Sequence, residues 1–90
     1  RVVSNRETGT GRSDLILYQQ DRAQNALILE LKVCRGTEMP DEAAERALKQ
    51  IEERGYDAEA RELGYRNIIK YGVAFRGKVC YAEVKHESGT

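Results

Sequence analysis

The chain has no net charge to speak of: fifteen Lys and Arg are balanced by fifteen Asp and Glu across 90 residues. That balance argues against a strongly basic nucleic-acid module, so any phosphate-binding charge has to be local. Long apolar runs are missing too. No stretch is apolar enough to span a bilayer, and no basic-then-apolar signal segment occurs, which gives the expectation of no membrane partner. Cysteine is scarce. Cys34 and Cys80 are too few for a disulfide scaffold and lack the spacing of a metal site, so both read as reduced, half-buried thiols, which gives the expectation of a cytoplasmic setting. His86 is the one histidine, and a solvated place in a polar tail at residues 86–90 sets it aside from catalysis. No P-loop, zinc spacing, Ser-His-Asp set, internal repeat or low-complexity tract occurs. The five tyrosines are scattered and read as core or rim, not as a base-stacking platform.

What is present is organised around two apolar strands. Gly11-Arg12-Ser13-Asp14-Leu15-Ile16-Leu17 starts one with an acid, and Ala26-Leu27-Ile28-Leu29-Glu30-Leu31-Lys32-Val33 carries Glu and Lys on one face of its pleat. This pattern resembles the PD-(D/E)XK nuclease superfamily, the restriction-endonuclease-like fold. The resemblance implies that Asp14 and Glu30 hold a divalent metal and that Lys32 helps activate or orient a water that cuts a phosphodiester.

The geometry agrees with that reading. Taken as a hairpin of residues 14–20 and 26–33 around a polar loop at 21–25, with Gln20 opposite Ala26, the strands put Asp14 opposite Lys32 and Ile16 opposite Glu30. Asp14 and Glu30 are then diagonal neighbours on one face, roughly 7–8 Å apart, within reach of one cation. A one-residue slip would send Asp14 to the other face. Carboxylate oxygens suit Mg²⁺ or Mn²⁺, and Lys32 supplies a compact positive charge for water or a phosphate oxygen. The other face reads Leu15, Leu17, Leu27, Leu29, Leu31 and Val33, an apolar surface that must be covered. Without the upstream acid, Glu30 and Lys32 would read simply as the solvated face of an edge strand.

The rest of the chain supplies the frame. Residues 2–7 read as a short first strand and residues 8–11 as a turn, beside which Arg12 is placed to hold a substrate phosphate or to pair with Glu7. Pro40 opens a helix to about Arg54, closed by Gly55, with Asp41 and Glu42 at its positive end. Ala44, Ala47, Leu48 and Ile51 form its apolar stripe, and Glu42–Arg46 and Glu45–Lys49 pair along its exposed side. Asp57 caps a second helix at 58–63, ended by Gly64. Strands at 67–75 and 78–84 follow around an Arg76-Gly77 turn. On the resemblance, Gln50 in Ala47-Leu48-Lys49-Gln50-Ile51 is the helix residue that points towards the metal.

The expected fold is therefore α/β: a restriction-endonuclease-like mixed central sheet in the order β-β-β-α-α-β-β, one domain over residues 1–90, cut from a longer protein and without the fold's first helix. The segments Ser4-Asn5-Arg6-Glu7-Thr8-Gly9-Thr10-Gly11-Arg12-Ser13-Asp14, Ile28-Leu29-Glu30-Leu31-Lys32 and Tyr71-Gly72-Val73-Ala74-Phe75 resemble a bacterial and archaeal group in which such a domain follows an AAA-type ATPase-like region. The expected function is a Mg²⁺- or Mn²⁺-dependent nuclease acting on nucleic acid, DNA in the first instance. The alternative is a catalytically silent nuclease-fold module for docking, nucleic-acid binding or homodimerisation beside its own ATPase-like region.

Overall fold

A computed structural model describes strands at residues 2–7 and 12–18 through their backbone, and residues 25–88 in full. Three strands with described side chains form a mixed sheet: β3 (Asn25–Val33), β4 (Asn67–Arg76) and β5 (Val79–Ser88). β3 and β4 are parallel, and β5 returns antiparallel to β4. The backbones of β1 (Val2–Glu7) and β2 (Arg12–Tyr18) continue the sheet beyond β3 in the order β1-β2-β3-β4-β5. Two helices, α1 (Pro40–Glu53) and α2 (Tyr56–Glu62), make the crossover between the parallel strands, the connection a parallel pair requires.

Local chemistry explains the crossover. Pro40 stands at the first turn of α1, with Asp41 and Glu42 beside it, and the Met39 N–H donates to Glu42 Oε1 at 3.2 Å. Ala43, Ala44, Ala47 and Ile51 are buried, so a narrow, small-residue stripe lets the helix axis come close to the sheet. Gly72 is the strand's half of that close approach: a Cβ there would lie 2.2 Å from the Ala44 carbonyl oxygen. Gly55 takes φ 72° between the helices, a conformation glycine adopts without strain.

Several expectations change. Asp57 does not cap α2; Gly55 does, and Asp57 is buried inside the first turn. Arg46 turns from Glu42 to Glu38, which it grips with Nε and Nη2 at 3.0 Å each, because Glu42 is occupied with the helix start. Cys34 is half-buried, but Cys80 is exposed. Residues 86–88 are no tail: β5 runs to Ser88, with His86 opposite Ile69. The turn proposed at residues 8–11 lies outside the described residues. Among those described, no helix is long and apolar enough to cross a membrane.

The larger correction concerns which face is covered. In β3 and β4 burial alternates strictly: Ala26, Ile28, Glu30 and Lys32, with Ile68, Lys70, Gly72 and Ala74, lie buried beneath the helices. The strands' leucine-rich side, Leu27, Leu29, Leu31, Ile69, Tyr71, Val73 and Phe75, is half-buried, and Val33 is exposed. The amphipathic α1 thus packs over the face that carries the charges. Its alanines leave room for the long side chains of Glu30, Lys32 and Lys70.

Candidate active site

The β2–β3 register sets the acids. Asp14 pairs directly with Glu30, and Ile16 with Ile28, instead of Asp14 with Lys32. The connection is longer than expected, because Tyr18, and not Gln20, stands opposite Ala26. Since the slip is by two residues, the face is preserved, and the acids become direct neighbours. Opposed antiparallel residues have Cβ atoms about 4.5–5.5 Å apart. The backbone of β2 therefore brings Asp14 beside Glu30; its side chain, like that of Arg12, lies outside the described residues. Arg12 stands opposite Glu7 in the β1–β2 pairing.

Around Glu30 the described residues converge. Its carboxylate is fully buried. Lys32 Nζ stands 3.7 Å from Glu30 Oε2 and donates to Gln50 Oε1 at 2.5 Å. Gln50 reaches the site because α1 crosses the sheet next to Gly72, whose register partner is Glu30. Sequence reasoning missed Arg54. Its Nε stands 4.0 Å from Glu30 Oε1, one helical turn beyond Gln50, and that four-residue spacing was the available signal. Among the described residues, Glu30 Oε2 faces Lys32 and Oε1 faces Arg54, each across a distance longer than a hydrogen bond.

This donor set suits a hard divalent ion. Glu30 offers carboxylate oxygen, and Asp14's backbone position puts a second carboxylate next to it. Among the described residues no group of three or more His, Cys, Asp or Glu forms a metal cluster; Mg²⁺ commonly keeps waters and takes oxygens from a substrate. The charges of Asp14, Glu30, Lys32 and Arg54 formally cancel.

A second polar cluster occupies the same sheet face and was also missed. Lys70 is fully buried; its Nζ donates to Glu87 Oε1 at 2.7 Å and Glu52 Oε1 at 3.1 Å, with Asp57 Oδ2 at 3.7 Å. Arg61 ties Glu87 to Asp57 from outside, and Lys85 adds a second cation on Glu52. Burial pulls the Lys70 ammonium down, but its hydrogen bonds to Glu87 and Glu52 more than offset that and hold it above its ordinary 10.5. The hydrogen bond from Lys70 holds both Glu52 and Glu87 below the usual carboxylate range.

A buried Glu-x-Lys beneath a helix, with an acid on the adjoining strand, is an arrangement suited to cutting phosphodiesters. A family model described as the PD-(D/E)XK nuclease superfamily matches residues 1–85, and the chain belongs to that superfamily. No curated protein and no solved structure matches it.

Proposed function

We propose that this domain is a divalent-metal-dependent nuclease that hydrolyses phosphodiester bonds of nucleic acid, with DNA as its substrate. The observation that supports this most is the meeting of Lys32, Gln50 and a fully buried Glu30 at the register position of Asp14, in a chain of nuclease membership. Asp14 and Glu30 would hold Mg²⁺ or Mn²⁺, which when bound supplies an acidified water and offsets charge on the transferring phosphoryl group. Lys32 holds the attacking water or a phosphate oxygen through its ammonium. Gln50 Oε1, accepting from Lys32 Nζ, fixes where that ammonium points. Water's oxygen forms the new P–O bond as one ester P–O bond breaks, and the leaving alkoxide takes up a proton. The lysine and its amide are positioned before substrate arrives.

The reading is tested on labelled DNA and RNA incubated with Mg²⁺, Mn²⁺ or EDTA. Cleavage that needs metal and is lost in Glu30→Gln and Lys32→Ala supports it; unchanged cleavage in both variants sinks it. Mn²⁺ calorimetry on wild type and Asp14→Ala then tests the paired-carboxylate site separately.

One observation favours the silent-module reading as well. The half-buried side of β3 and β4 carries leucines, aromatics and β-branched residues and no Asp, Glu, Lys or Arg. In a chain that is 33% charged, such a face suits a covering layer: the helix that the restriction-endonuclease-like fold places ahead of its first strand, an ATPase-like region, or a second copy. The two readings are compatible, since this face is opposite Glu30. Light scattering on the chain tests the second copy.

A further inference from the structure

We propose that the outer edge of β5 is a pairing surface for a second copy of this chain: two β5 strands join antiparallel about a two-fold axis at Val84, making one continuous sheet. The proposal does not depend on the nuclease reading. β5 stands at the end of the sheet order, and β4 is its one strand neighbour among the described residues. The strand is 10 residues long, longer than most, and none of its residues is buried. Val84 is 57% exposed. A long edge of this kind, with no proline in it, offers a row of backbone N–H and C=O groups to another strand.

Charge selects both the occupant and the register. A two-fold axis perpendicular to the sheet keeps the helix-covered faces of both copies on one side, so paired side chains stay on matching faces. With Val84 at the axis, Glu83 stands opposite Lys85 of the second copy, and Lys85 opposite its Glu83. Cys80 then opposes Ser88, so the strand is used almost whole. Moving the axis to Glu83 or to Lys85 sets like charges directly against each other, which disfavours both neighbouring registers. Charges that merely guard an edge have no need to complement themselves in this way. Both groups are placed to meet a neighbour. The Lys85 side chain is 58% exposed, and an ammonium that donates to Glu52 keeps two further donors. Glu83 and Lys85 line an open cleft of about 930 Å³ beside α1, which leaves room above the joint. They stand opposite Gly72 and Lys70, on the helix-covered side, so this surface is distinct from the leucine-rich one.

The test is sedimentation equilibrium of the full chain across a concentration series, with circular dichroism on each variant. The wild type is expected to dimerise. Glu83→Lys sets two lysines against each other on both sides of the axis, and Lys85→Glu does the same with two glutamates; each should weaken the dimer about tenfold. Mixed together, the two variants should recover wild-type association, since each then meets its complement. If Lys85→Glu unfolds for want of its bond to Glu52, cross-linking carries the test. Val84→Cys in a Cys80→Ser background should give a disulfide-linked dimer on oxidation, and Ala82→Cys in that background should not. A wild type that stays monomeric up to about 1 mM would overturn the proposal. So would a dimer that neither charge reversal weakens but Leu29→Lys disrupts, which would assign association to the leucine-rich side.

Discussion

Two lysines lie on the same covered face of the sheet, in adjacent parallel strands, and their surroundings differ in kind. Lys70 is enclosed by carboxylates from three elements: Glu52 of α1, Asp57 of α2 and Glu87 of β5. Among the described residues, Lys32 stands 3.7 Å from the Glu30 carboxylate on its own strand and donates to an amide from α1. Around Lys70 the negative charges outnumber the lysine and are themselves answered from the surface by Arg61 and Lys85. That is how a fold tolerates a buried charge. Among the described residues, the ion pairs of Glu30 are 3.7 Å to Lys32 and 4.0 Å to Arg54, and the Arg54 side chain is partly exposed. The carboxylates gathered on Lys70 form a structural clasp. The last turns of α1 serve both, since Gln50 and Arg54 face one cluster and Glu52 the other.

Substitution separates them. Lys70→Ala removes the centre of a buried network and leaves three acids facing one another, and should cost about 3–5 kcal/mol, read from denaturant unfolding. Replacing Lys32 is expected to cost less stability than replacing Lys70 and to cut metal-dependent cleavage about a hundredfold or more. If Lys32→Ala unfolded the protein as badly as Lys70→Ala, the distinction between clasp and site would fail.

The sequence showed the second lysine's surroundings far less well than the first's, for a physical reason. Glu30-Leu31-Lys32 declares itself through the two-residue period of a strand, and Gln50 through a motif; both signals are local. Lys70 lies within a β-prone run that carries no motif. Its partners lie 17 and 18 residues away for Glu87 and Glu52 and come together only once the crossover and β5 are in place. The covered face misled for the same reason. Leucines at 27, 29 and 31 outweigh Ala26 and Ile28 on any hydropathy count, yet the small stripe of α1 fits the side that carries the long charged chains. The β2–β3 register slipped because nothing in residues 19–24 specifies a turn, whereas the face survived because the slip was even.

Gly72 joins the two clusters, since it lets α1 lie close enough for Gln50 to reach Lys32 and for Glu52 to reach Lys70. Gly72→Ala puts a methyl 2.2 Å from the Ala44 carbonyl oxygen, and backbone has to move to admit it. A loss of about 1–3 kcal/mol in stability is expected, together with weaker cleavage as Gln50 withdraws. Stability that falls while cleavage is untouched would mean that the helix shifts without carrying Gln50 with it.

The smallest effect lies in the pH dependence of the clasp. Glu52 and Glu87 are held below their ordinary 4.5 by the hydrogen bond from Lys70, so their contribution is complete above that value and is lost as pH falls through the lowered folded values. Lys70 is held above 10.5; its contribution is complete below that value and is lost as pH rises through the raised one. Glu38, brought down to about 2 by the hydrogen bond from Arg46, titrates on the acid side as well but sits on the surface. Melting temperature followed from pH 7 downward should therefore begin to fall as pH drops below about 4.5, and in Lys70→Met the acid limb should be shallower. Lys32→Met should leave the limb unchanged, because it removes none of the hydrogen bonds that hold Glu52 and Glu87 down. An equal flattening in both variants would show that the two lysines share one electrostatic unit.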